Sequence, residues 1–146
     1  MSEALAGLAI ASNIISIVHI TGQLVGKGWE CVRMLKEAPK ELRAFMGELT
    51  SLHGVLLTLQ DQVATSHFAS QMAGFSVLDM LNQPDGALEA CKSALVQAKH
   101  LLDSLQTTTL FSVVSALTKR RDIMTLRERI ERLKTILILA LHSDHL

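Results

Sequence analysis

Four separate runs of this chain repeat an apolar residue every three or four positions, and that spacing restricts what it can fold into. Leu42, Phe45, Leu49, Leu52, Leu56, Leu59 and Val63 form one run. Leu88, Cys91, Leu95, Ala98, Leu102 and Leu105 form another, and Ile123, Leu126, Ile130, Leu133, Leu137 and Ala140 a third. The N-terminal run is Ala4, Leu8, Ala11, Ile15, Val18, Gly22, Val25, Trp29 and Val32. A 3-4 repeat places its members on one stripe of an α-helix. Such a stripe needs a partner, because burying one Leu or Ile is worth about 1.5–3 kcal/mol before entropy is counted. Four stripes predict an all-α fold, a single helical bundle domain over residues 1–146 with four main helices plus one or two short ones. The near absence of aromatics (3%, with no Tyr) agrees, since strands favour aromatic and β-branched residues.

Pro39 marks a break after Ala38 and the start of the second helix. Asn82, Pro84, Asp85 and Gly86 mark a turn before the third. Residues 64–83 are long for a bare loop, so FASQMAGFSVLDML is expected to add a short helix there. Residues 107–118 are β-branched, yet no partner strand is in sight, and a short helix leading into the last one is the expectation.

Between Glu3 and Lys27 there is no Asp, Glu, Lys or Arg. This segment fits two environments, the core of a bundle or a lipid surface. Ser12, Ser16, His19 and Gln23 form one narrow polar stripe along it, and Gly22 and Gly26 make a GxxxG pair of the kind that lets helix backbones approach. A transmembrane span is disfavoured, because Asn13, His19 and Gln23 would be costly in hydrocarbon. The start, MSEA, lacks the basic region of a secretory signal. With Leu8, Ala11, Ile15 and Val18 taken as the core side, Leu5, Leu8, Ile10, Ile14, Ile17 and Leu24 are the candidate membrane-insertion residues, and Ile10, Ile14 and Ile17 form the flank facing away from the bundle. Gly22 and Gly26 are the candidate helix-packing residues.

Formal charge balances to zero, so no global field draws the chain to nucleic acid. Basic residues nevertheless gather between Lys119 and Lys134. Lys119, Arg120 and Arg121 are candidates for anionic lipid headgroups, each worth about 1 kcal/mol near such a surface. Arg127/Glu131 and Glu128/Arg132 have i,i+4 spacing, which also suits an ordinary solvated helix face. Cys31 and Cys91 provide no disulfide framework and point to a reducing, cytosolic compartment.

Catalytic patterns are missing. GQLVGKG has the wrong spacing for a phosphate loop, with Gly28 where Ser or Thr should bind magnesium. His142, Asp144 and His145 read as surface residues rather than metal ligands. No nucleophile signature and no paired-carboxylate motif is visible. The chain is expected not to be an enzyme and to need no cofactor and no metal.

EALAGLAIASNIISIVHITGQLV, APKELRAFMGELTSLHGVLLTLQ, ALEACKSAL and LRERIERLKTILILAL together resemble the N-terminal helical domain of fungal STAND (NACHT-type, NLR-like) proteins, the HeLo-like group of cell-death domains. The likeness runs from about Glu3 to Leu141 and rests on patterns of apolar and small residues. It implies a cytosolic bundle that executes programmed cell death in innate immunity and heterokaryon incompatibility. Such a domain oligomerises when a partner NTPase or amyloid-motif module triggers it. It then relocates to the plasma membrane and forms pores through its N-terminal helix, here about residues 4–34. Neither trigger module occurs in these 146 residues, so the expectation is an excised domain or a trigger on another chain. The alternative is a non-enzymatic helical adaptor domain that mediates protein–protein contact in a signalling receptor.

Overall fold

Proline and glycine set the helix ends in this computed structural model, which describes residues 2–35, 38–66, 81, 83, 85–107 and 113–143. Helix α1 spans Ser2–Met34, α2 Lys40–Ser66, α3 Ala87–Thr107 and α4 Val113–Ser143. The Pro39 carbonyl accepts the Leu42 and Arg43 amides at 3.0 and 3.2 Å, so Pro39 sits just ahead of α2 rather than inside its first turn. The expected turn before α3 closes where the Gly86 amide donates to the Gln83 carbonyl at 2.8 Å. Residues 113–118 are helical and open α4, and no strand occurs among the described residues. The short helix expected over residues 68–81 lies outside the described residues except for Leu81, which is buried.

The fold is an all-α helical bundle. Each helix packs on two others, in the circular order α1, α2, α4, α3. Among the described residues α1 does not touch α4, and α2 does not touch α3, so each of those pairs occupies a diagonal. Cross-helix contacts give the directions. Gly22 faces His53 while Gly28 faces Met46, so α1 and α2 are antiparallel. Arg129 reaches Gln97 and Lys119 reaches Ser104, so α3 and α4 are antiparallel too. Arg120 meets Glu41 and Lys134 meets Glu48, which makes the neighbours α2 and α4 parallel. It follows that α1 and α3 are also parallel neighbours.

Every residue of the three expected stripes on α2, α3 and α4 is buried, with Met46 and Ala94 added to them. The α1 stripe is a correction. The core side of α1 is Ile10, Ile14, Ile17, Thr21, Leu24, Gly28 and Cys31. Ile15, expected in the core, is 52% exposed, while Ile14 and Ile17 are 0% exposed. Ala11, Val18, Val25 and Val32 are half-buried against the core edge. Thr21 is the buried polar residue of α1, and its hydroxyl donates to the Ile17 carbonyl at 2.6 Å, which satisfies it within the helix.

Candidate functional site

Helix α1 is the longest, at 33 residues, and over its middle it differs from α3 and α4 in what it shows to solvent, as α2 does between Arg43 and Asp61. The outward side of α4 carries Arg120, Arg121, Asp122, Glu128, Glu131 and Arg132, and that of α3 carries Glu89 and Lys99. Over residues 12–26 the outward side of α1 carries Ser12, Ile15, Ser16, His19, Ile20, Gln23 and Gly26, with no formal charge. Charge returns at Lys27, which forms an ion pair with Asp103 of α3. The lysine's hydrogen bond is the largest influence on the Asp103 carboxyl and holds it below the usual carboxylate range.

The membrane-insertion candidates divide accordingly. Ile10, Ile14, Ile17 and Leu24 are core residues of the bundle, and their placement on the outer flank is corrected. The physical reason is the polar stripe itself. At about 100° per residue, Ile14 lies about 200° from Ser12 and so points away from the polar side. Leu5 and Leu8 belong to α1, but their side chains lie outside the described residues.

The glycine pair is corrected in part. Gly22 rests against the His53 ring of α2, where an added Cβ would stand 3.2 Å from Nε2. Gly26 faces open space and packs on nothing within 4 Å. The close approach that α1 does require is at Gly28, which is buried. A Cβ there would overlap the Met46 sulfur and come within 3.5 Å of Leu102 Cδ1. Two helices therefore press on α1 at one point. Nearby, Trp29 Nε1 donates to Thr50 Oγ1 at 3.1 Å across the α1–α2 seam.

Lys119, Arg120 and Arg121 do not stand together as a free cluster. Lys119 donates to the Ser104 carbonyl of α3 at 3.2 Å. Arg120 Nε lies 3.1 Å from Glu41 Oε2 on α2, an ion pair without hydrogen-bond alignment. Arg121 is exposed. Sequence reading missed a second pattern in this run. Arg120, Arg127 and Lys134 are seven apart, and so are Glu41 and Glu48. Arg120 and Lys134 each meet one of these carboxylates across the parallel α2–α4 seam, and Lys134 meets Glu48 at 2.9 Å with both side chains mostly covered. Among the described residues the Arg127/Glu131 and Glu128/Arg132 spacings form no ion pair; Arg127 Nε is buried with no hydrogen-bond partner.

Neither cysteine is in a disulfide, and both are buried. Burial pushes the Cys91 thiol up to about 12, with the charge of Arg129 acting weakly the other way. His19, His100 and His142 are exposed and scattered. Among the described residues no three His, Cys, Asp or Glu side chains gather as metal ligands. No described helix is long and apolar enough to cross a membrane. No family model, curated protein or solved structure matches the chain.

Proposed function

We propose that this chain is a HeLo-like effector domain of programmed cell death that self-associates on activation, moves from cytosol to the plasma membrane and permeabilises it through α1. The uncharged outer side of α1 carries the reading, because it exposes Ile15 and Ile20, whereas the outward side of α2 between Arg43 and Asp61, also uncharged, exposes mainly Gly, Ser and Thr. The likeness in sequence supports it. Release of α1 would turn Ile10, Ile14, Ile17 and Leu24 from core into lipid contacts. Added to Ile15 and Ile20, they would make most of the helix circumference apolar. Such a helix would lie within the interface plane of a bilayer rather than span it.

The cost of release sets what a trigger must supply. Uncovering Ile10, Ile14, Ile17 and Leu24 at about 1.5–3 kcal/mol each gives about 6–12 kcal/mol. That is comparable to the whole stability of a domain, about 5–15 kcal/mol, so α1 stays docked unless association or anionic lipid repays it. The partner NTPase or amyloid module of the proposed system would drive that association.

A second reading, a helical adaptor, draws on the full burial of Ile14, Ile17 and Gly28, which makes α1 integral to the resting bundle. One experiment separates the two. The chain is fused to a drug-induced dimeriser and mixed with dye-loaded vesicles containing phosphatidylserine. Effector action predicts dye release on adding the drug, and a folded Ile15→Asp variant with much less release. A bundle that associates without releasing dye at any lipid composition would establish the adaptor instead.

A further inference from the structure

A groove runs between α3 and α4 on the side of the bundle away from the column that meets α2. It has a volume of about 870 Å³, within the range of small-molecule sites. Leu101 and Leu126, both nearly buried, form its floor. Two side chains of α4 cross it. Arg129 Nη1 donates to Gln97 Oε1 at 2.8 Å at one end, and Lys119 Nζ donates to the Ser104 carbonyl at 3.2 Å at the other. Both of these bonds are made to neutral oxygens. Among the described residues Arg129 has no carboxylate partner, and Asp122 is the one acidic side chain on the described rim.

The distance between the two crossings decides the kind of occupant. Gln97 and Ser104 are seven residues apart on α3, about 10 Å at 1.5 Å per residue. A docked helix would need more than these two turns, since helices shorter than about 12 residues are marginal. A small molecule fits that length. An apolar floor between cationic ends selects a molecule that is apolar along its body and anionic at its head. We infer that the α3–α4 groove binds a single-chain anionic amphiphile, its alkyl chain on Leu101 and Leu126 and its phosphate head on Arg129. Guanidinium recognises phosphate with paired, charge-assisted hydrogen bonds, and here the head would displace the weaker neutral bond to Gln97. The site does not involve α1 and stands whether or not α1 acts on membranes.

The test is calorimetric titration with n-decyl phosphate below its micelle concentration. Inorganic phosphate and n-decyl glucoside serve as the two comparison ligands. The amphiphile should bind at least tenfold more tightly than either comparison ligand. Arg129→Gln should weaken it about tenfold. Thr125→Trp, an exposed position on the rim, should block the chain without removing a charge. Arg132→Gln removes a cation from the same helix outside the groove and should leave binding unchanged. Far-ultraviolet spectra and melting confirm that each variant is folded. Equal loss in Arg132→Gln and Arg129→Gln would reduce the effect to general charge attraction and overturn the assignment. Equal affinity for inorganic phosphate and decyl phosphate, or undiminished binding by Thr125→Trp, would overturn it as well.

Discussion

Two glycines two residues apart in α1, on opposite sides of the helix, should respond to the same substitution with opposite sign. Replacing a helical glycine by alanine removes about 1 kcal/mol of backbone penalty wherever the new methyl has room. At Gly26 it has room, since nothing approaches within 4 Å. Gly26→Ala should therefore stabilise the domain by about 1 kcal/mol. At Gly28 the methyl overlaps Met46, itself fully buried, with Leu102 behind it. Overpacking of this sort costs about 1–3 kcal/mol, which cancels or exceeds the gain and leaves Gly28→Ala destabilised by about 0–2 kcal/mol. The gap between the variants is then about 1–3 kcal/mol, on the order of 5 °C in melting temperature for a chain of this size. Thermal melts followed by far-ultraviolet circular dichroism read it directly, with urea unfolding as a check on two-state behaviour. Met46→Ala in the Gly28→Ala background should recover part of the loss, a coupling that a double-mutant cycle isolates. If Gly28→Ala melts as high as Gly26→Ala, Met46 has somewhere to go, and the convergence of α2 and α3 on Gly28 is not a constraint on α1.

Three further outcomes follow from burial and charge. Ile14→Asp places a carboxylate in the core and should lose its cooperative melt, since truncation alone costs about 2–5 kcal/mol and the unpaired charge adds to that, whereas Ile15→Asp at the neighbouring position should melt within a few degrees of wild type. The Cys91 thiol, raised to about 12 by burial, should resist iodoacetamide in the folded protein at pH 9 and react once urea unfolds it. Because the unfolded thiol releases its proton near pH 9 and the folded one does not, this group takes stability away as pH climbs from about 9 to about 12, which melting of wild type against Cys91→Ala across that range measures. Asp103, whose carboxyl is lowered chiefly by Lys27, contributes stability that is present at neutral pH and fades as pH falls through the acid range, so Asp103→Asn should differ from wild type at pH 7 and converge with it near pH 2.

The stripes on α2, α3 and α4 could be read from sequence because charged residues mark the opposite side of each helix. Arg43, Glu89 and Glu128, all exposed, leave little choice about which way Leu52, Leu95 and Leu133 point. Helix α1 offered no such markers. Leu8, Ala11, Ile15 and Val18 satisfy the 3-4 repeat, and so do Ile10, Ile14 and Ile17, one position away. Ser12, Ser16, His19 and Gln23 were the better guide, since all four are exposed and the true core lies opposite them. The lipid reading of Lys119, Arg120 and Arg121 treated a run of basic residues as one patch. On a helix, neighbours in sequence point about 100° apart, so these three diverge to α3, to α2 and to solvent. Nothing local in sequence distinguishes Gly28 from Gly26, because the need for glycine there arises from Met46 and Leu102, distant in the chain.

The circular order of the helices also fixes when the core can close during synthesis. The pairs α1–α2 and α3–α4 are hairpins of consecutive elements and can form as they leave the ribosome. The parallel pairs α1–α3 and α2–α4 join segments separated by a whole intervening helix and complete the ring only when α4 has emerged. Until then Leu49, Leu52 and Leu56 of α2 have a partner on one side alone. A nascent chain halted before Ile123 would present an open apolar trough, the state that chaperones bind and that aggregates when they do not. Helix α4 thus acts as the closing step for the three helices before it.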